Sequence, residues 1–235
     1  MSCNVYESIK QSIMNIRTIT ILLASFLFSY SFAQTNVPAV TSTHQVWDAA
    51  GSPYLVNQNS VVNTDGSITI KPGATVKFTG DYTLTVQGDF SAVGKSDSII
   101  NFDSVAIIIE STAKGYDPIT DSGLHLSYCK FTSSASPLNN GSVYTFSTRA
   151  QILVENTTFK NCTHGLYLRG GSFRDTFNHV VDHCVFDNQR FEVMRTDAEN
   201  LKVYFINNII RNNFQRDLWT KSGGVWFQRG NPVDT

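Results

Sequence analysis

The sequence predicts an all-β protein, a parallel β-helix of about six to seven coils. Three observations carry the prediction. The 235 residues include 24 Ser, 23 Thr and 19 Asn, more than a quarter of the chain, and only 16% are charged. Such small polar residues suit strands and turns better than helix interiors. Second, short apolar segments recur at intervals of 24, 29, 28, 27 and 24 residues. Third, no stretch after Ala33 keeps apolar residues at the helical period over ten or so positions. With 41% hydrophobic and 12% aromatic residues the chain can bury a sizeable core, which excludes a disordered protein. Its formal charge of −1 offers no basic face for nucleic acid.

Residues 1–33 have the make-up of a secretory signal peptide. Arg17, with Lys10 further back, precedes the uncharged run ITILLASFLFSYSF from Ile19 to Phe32. Ser31-Phe32-Ala33 then supplies small residues for cleavage between Ala33 and Gln34. Counted from Met14 the segment has the ordinary proportions of such a peptide, which makes Met14 the alternative start. The apolar run is short for a permanent span, no Cys for lipidation adjoins the cleavage point, and no later segment resembles a membrane helix. Residues 34–52 are expected to form a lead-in or cap around Val46 and Trp47, residues 53–222 the β-helix, and residues 223–235 a tail or truncated coil.

The repeat aligns on the apolar anchors Phe78, Phe102, Phe131, Phe159, Phe186 and Ile210. Five positions before the last four anchors stand Leu126, Val154, Val181 and Phe205. Three before stand Tyr128, Asn156, His183 and Asn207, and two after stand Ser133, Asn161, Asn188 and Asn212. In a stack of coils about 4.8 Å apart, like positions lie on one another. Apolar positions then fill the bore, and Asn at a bend bonds along the stack and to turn backbone. A charge repeated in every coil would sit beside its own copy, which accounts for the low charge. Asn140, Asn156 and Asn161 open Asn-x-Ser/Thr sequences, which matter only in a eukaryotic secretory pathway.

The stretch from Tyr54 to Phe102 contains Ser67-Ile68-Thr69-Ile70-Lys71-Pro72-Gly73 and Leu84-Thr85-Val86-Gln87-Gly88. It resembles the opening coils of secreted right-handed parallel β-helix proteins of the Bacteroidetes cell-surface type, over roughly residues 50–218. The resemblance implies a right-handed helix and export to the cell surface or medium. Its motifs specify fold rather than activity.

Candidate chemistry is sparse. Cys129, Cys162 and Cys184 remain after cleavage at Ala33, and Cys129 and Cys184 share a register with Thr157 between them. A separation of two coils, about 9–10 Å, is too long for a disulfide. Cys162, His164, His179, His183 and Cys184 lack the converging spacing of a zinc site, and the acidic residues form no calcium-binding array. No metal and no cofactor is expected.

In β-helix lyases and hydrolases the site lies on one long parallel sheet. Here that sheet is expected to hold Leu166–Arg169, Phe191–Met194 and Asp217–Thr220. Strict alternation turns Leu166, Leu168, Phe191, Val193 and Leu218 inward. It turns Tyr167, Arg169, Glu192, Met194 and Trp219 outward, with Ile108, Glu110 and Tyr144 upstream. Tyr167, Arg169, Glu192 and Trp219 are therefore the expected ligand-binding residues, suited to stacking on a glycan and hydrogen-bonding it. A structural or binding module for glycans or other surface polymers is the expected function. The alternative is a carbohydrate-active lyase or hydrolase, with Glu192 and Asp197 or Asp175 as carboxylates and Arg169 or Arg195 as base.

Overall fold

The computed structural model describes residues 10–12, 34–132, 143–145, 150–168, 178–189, 193–196, 202–213 and 225–227. The chain divides into two compact units, Met1–Ala33 and Gln34–Thr235. In the first unit residues 10–12 are helical. Among the described residues no helix is long and apolar enough to cross a membrane.

The second unit is a parallel β-solenoid. Sheet A comprises Thr35–Asn36, Tyr54–Val56, Thr75–Phe78, Ile100–Asp103, Cys129–Thr132, Thr158–Lys160, Val185–Asp187 and Ile209–Arg211. Sheet B comprises Val40–Thr41, Ser60–Val62, Leu84–Val86, Ile107–Ile109, Val143–Thr145, Leu166–Leu168, Met194–Thr196 and Val225–Phe227. Sheet C comprises His44–Trp47, Ser67–Ile70, Asp89–Val93, His125–Ser127, Leu153–Glu155, Asn178–Asp182 and Lys202–Ile206. The chain visits the sheets in the order A, B, C and pairs each strand with the third strand before and after it. Residues 34–52, expected as a lead-in, contribute the first strand to every sheet.

Side chains that alternate along each short strand divide between bore and outer face. In sheet A, Tyr54, Val76, Phe102, Phe131, Phe159, Phe186 and Ile210 stand in one inward column. The rings of Phe102, Phe131, Phe159 and Phe186 stack at 4.5, 4.9 and 5.0 Å, nearly parallel. Each is almost wholly buried, which contributes about 1.5–3 kcal/mol per side chain before any gain from stacking. The partner of Phe102 is Val76, so the anchor expected at Phe78 lies two residues further along its strand. In sheet C the expected column is present as Trp47, Ile70, Ala92, Leu126, Val154, Val181 and Phe205.

The recurring Asn positions have a sharper cause than stacking alone. Tyr128, Asn156, His183 and Asn207 bend the chain from sheet C into sheet A with φ of 47°, 49°, 51° and 53°. Ser104, Asn161, Asn188 and Asn212 bend it out of sheet A with φ of 57°, 59°, 56° and 57°. Left-handed backbone costs most L-residues about 1–2 kcal/mol, and Asn is among the few that visit it routinely. Side-chain bonds along the stack add to this: the Asn188 amide donates to Asn161 Oδ1 at 2.8 Å. Likewise Asn207 donates to Asp182 Oδ1 at 3.0 Å.

The bore is filled. A void of about 10 Å³, lined by Phe90, Ile107, Ile109, Leu124, Leu126, Val143 and Ile152, barely admits one water. A large ligand cannot enter the bore at that point.

Candidate functional site

Of the four expected ligand-binding residues, Arg169, Glu192 and Trp219 lie outside the described residues. Tyr167 occupies the outward register of sheet B, between Tyr144 and Arg195 and in line with Ile108. It is nevertheless buried at 5% exposure, with the ring of His164 6.3 Å away. Both faces of Leu166–Leu168 are thus covered, and Tyr167 does not lie on an open strip. Met194, expected outward, pairs with Leu166 and is fully buried in the core. The strand runs from Met194 to Thr196, starting three residues later than Phe191, so Arg195 rather than Glu192 stands in register with Tyr167. The next strand of this sheet is Val225–Phe227, which puts Trp226 opposite Arg195.

The outer face of sheet A is open and ordered. One outward column runs Leu55, Lys77, Asp103, Thr132, Lys160, Asp187, Arg211. A second runs Thr75, Asn101, Lys130, Thr158, Val185, Ile209. The Phe column beneath fixes both. Where charges recur in the first column their sign alternates, so no charge sits beside its own copy. Lys77 Nζ lies 3.8 Å from Asp103 Oδ2, and Arg211 lies 3.2 Å from Asp187 Oδ2. The Asn212 amide donates to Asp187 Oδ1 at 2.8 Å. That bond, and then the Arg211 guanidinium, hold the Asp187 carboxyl below its usual range. Lys77, Asn101, Lys130, Lys160 and Arg211 are exposed. The signal for this face was present in the sequence, one residue to either side of each anchor. The offsets rich in Asn are the bends.

Sheet C carries a second cluster on its outer side. His125 follows the bore residue Leu124, yet it is buried because Ser111–Gly123 folds over it. Its Nε2 lies 3.1 Å from Glu155 Oε1 and its Nδ1 3.4 Å from Asp121 Oδ1. Tyr116 sets its ring edge-on to the imidazole at 5.2 Å and donates its hydroxyl to Asp121 Oδ1 at 3.0 Å. Burial, and then the Asp121 carboxylate, raise the Tyr116 phenol above its usual range. Gly123 holds φ of 89°, and a side chain there would meet the Gly115 carbonyl. Those contacts pin a loop. With His125 only 7% exposed, no polymer reaches the imidazole.

The other histidines and the cysteines disperse. His179 is a bore residue between Ile152 and Val203, and its Nδ1 accepts the Ile152 N–H at 3.4 Å. Its Nε2 has no partner, and burial lowers its pKa to about 4. His183 stands exposed on a bend, 2.9 Å from Asp182 Oδ1. Cys129, Cys162 and Cys184 carry thiols buried within the core. Burial pushes the Cys129 thiol up, and that of Cys184 up to about 12. Such thiols are poor nucleophiles. Among the described residues no group of His, Cys, Asp and Glu converges as metal ligands would.

Compared with protein-family models, with curated proteins and with solved structures, the chain finds no match in any of the three.

Proposed function

We propose that this chain is an exported binding module, a right-handed parallel β-helix that presents a rigid outer face to glycans or other cell-surface polymers and performs no catalysis. One observation carries the reading: the outer face of sheet A holds exposed Lys77, Asn101, Lys130, Lys160 and Arg211 in two registered columns over a packed Phe ladder. Such a face is organised before a ligand arrives, which spares the entropy of ordering it. Support for export is the apolar run before Ala33 and the unit boundary at the same peptide bond. Support for the hand is the strong preference of parallel crossover connections.

Export is tested by fractionating cells that express the full chain and sequencing the product's N-terminus. A product outside the cytoplasm that begins at Gln34 is expected; an uncleaved cytoplasmic one overturns export. Binding is tested by retention on a panel of neutral and anionic polysaccharides, where retention on at least one is expected. Retention on none overturns the reading, and steady release of unsaturated sugar product overturns its non-catalytic part. Trp219→Ala with unchanged retention removes Trp219, and the Arg169–Glu192 strip with it, from the binding face.

A further inference from the structure

The charges on the outer face of sheet A do not cancel. Four cations, Lys77, Lys130, Lys160 and Arg211, share it with two carboxylates, Asp103 and Asp187. Both carboxylates are engaged within the face: Asp103 with Lys77 and the Ser104 hydroxyl, Asp187 with Arg211 and Asn212. Lys130 and Lys160 are exposed; Lys130 makes no ion pair with a described residue, and Lys160, opposite Asp187, adds only its field to a carboxylate already bonded by Arg211 and Asn212. They stand on adjacent strands, Lys130 opposite Thr158 and Lys160 opposite Thr132. A step of one strand and two residues on the same face separates their Cα atoms by about 8 Å. Asn101, Thr132 and Thr158 surround them with short side chains that donate and accept hydrogen bonds.

Resting on the binding role proposed above, we infer that this face takes an anionic polysaccharide, its carboxylate or sulfate groups at Lys130 and Lys160 and its hydroxyls at Asn101, Thr132 and Thr158. Charge complementarity selects the class. Two exposed cations outside the close ion pairs of the face, set among hydroxyl and amide groups, match a polymer that carries an occasional anion among many hydroxyls. Duplex nucleic acid, with one charge per about 1.7 Å, would demand a far more basic face than a chain of net charge −1 supplies.

The test is retention of the full chain on immobilised alginate, dextran sulfate, unsubstituted dextran and duplex DNA. Lys130→Ala/Lys160→Ala is compared with Lys95→Ala/Lys114→Ala, which removes the same charge away from sheet A. Circular dichroism confirms that each variant is folded, and Lys130→Gln/Lys160→Gln repeats the comparison with longer side chains. The inference expects wild type to bind an anionic polysaccharide more weakly as salt rises. It expects the sheet A pair to lose about tenfold in affinity and the control pair to keep it. Equal loss in both pairs, or stronger binding to DNA, overturns it. Binding to dextran alone overturns it while the broader role stands, whereas binding to no polysaccharide removes both.

Discussion

Sheets A and C are built from the same repeat, yet they treat polar groups in opposite ways. Sheet A fills its side of the bore with four stacked Phe rings flanked by Val76 and Ile210, and keeps its charges outside, where they pair along the stack or face solvent. Sheet C admits His179 to the bore and buries His125 beneath a loop clamped by Asp121 and Glu155. Exposed polar groups are inexpensive to keep and available to a ligand. Buried ones lose their water and are unavailable to a ligand, and each group left without a partner, such as His179 Nε2, costs stability. Under the proposed binding role, the open polar columns are the face offered to a ligand, whereas the buried polar cluster around His125 holds a loop to the solenoid.

The largest effect that separates the two sheets is expected from Phe159→Ala. It opens a cavity in the middle of the aromatic column and costs about 3–5 kcal/mol, read from urea denaturation. A cost near that of an exposed substitution would contradict a packed ladder.

Next comes the pH response of sheet C. Folded His179 binds its proton less readily than the unfolded chain, whose histidines titrate at about 6.5. The stability it allows is full above that pH and is lost as pH falls toward about 4. The difference amounts to about 3 kcal/mol. His179→Leu should flatten the stability profile across that window; a variant with the wild-type slope would place the pH sensitivity elsewhere.

His125→Ala is expected to cost about 1–3 kcal/mol, because it leaves the clamp's carboxylates without their shared partner. Hydrogen exchange should rise within Ser111–Gly123 and remain unchanged in sheet A. A uniform rise across the coils would show that the cluster does more than hold the loop.

The smallest expected effect is a gain. Tyr128 pays for a left-handed bend that Asn fills in two of the three following coils. Tyr128→Asn should stabilise by about 1 kcal/mol. Destabilisation of that size would mean that the Tyr128 side chain contributes more than its backbone costs.

The fold was legible because a solenoid writes its register into sequence as a period. Leu126, Val154, Val181 and Phe205 lie in one column, as their shared offset implied. Legibility failed where a coil changes length. The segment after Gly165 reaches its next sheet B strand at Met194, so strict alternation from Phe191 gave Met194 the wrong face. It failed again where a loop covers a face, because alternation reports the direction of Tyr167 or His125 from the sheet and nothing about what lies on top. Asn at the bends stands out in the composition. The sheet A columns were quieter, since alternating Lys and Asp leave no single residue type to notice.

The binding face is tested most directly by lysine acetylation footprinting of the full chain with and without bound anionic polysaccharide, read by mass spectrometry. The account predicts that the polysaccharide protects Lys130 and Lys160 while Lys95 and Lys114 react as in the free protein. Equal protection of all four, or protection of Lys95 and Lys114 with Lys130 and Lys160 fully reactive, would contradict it.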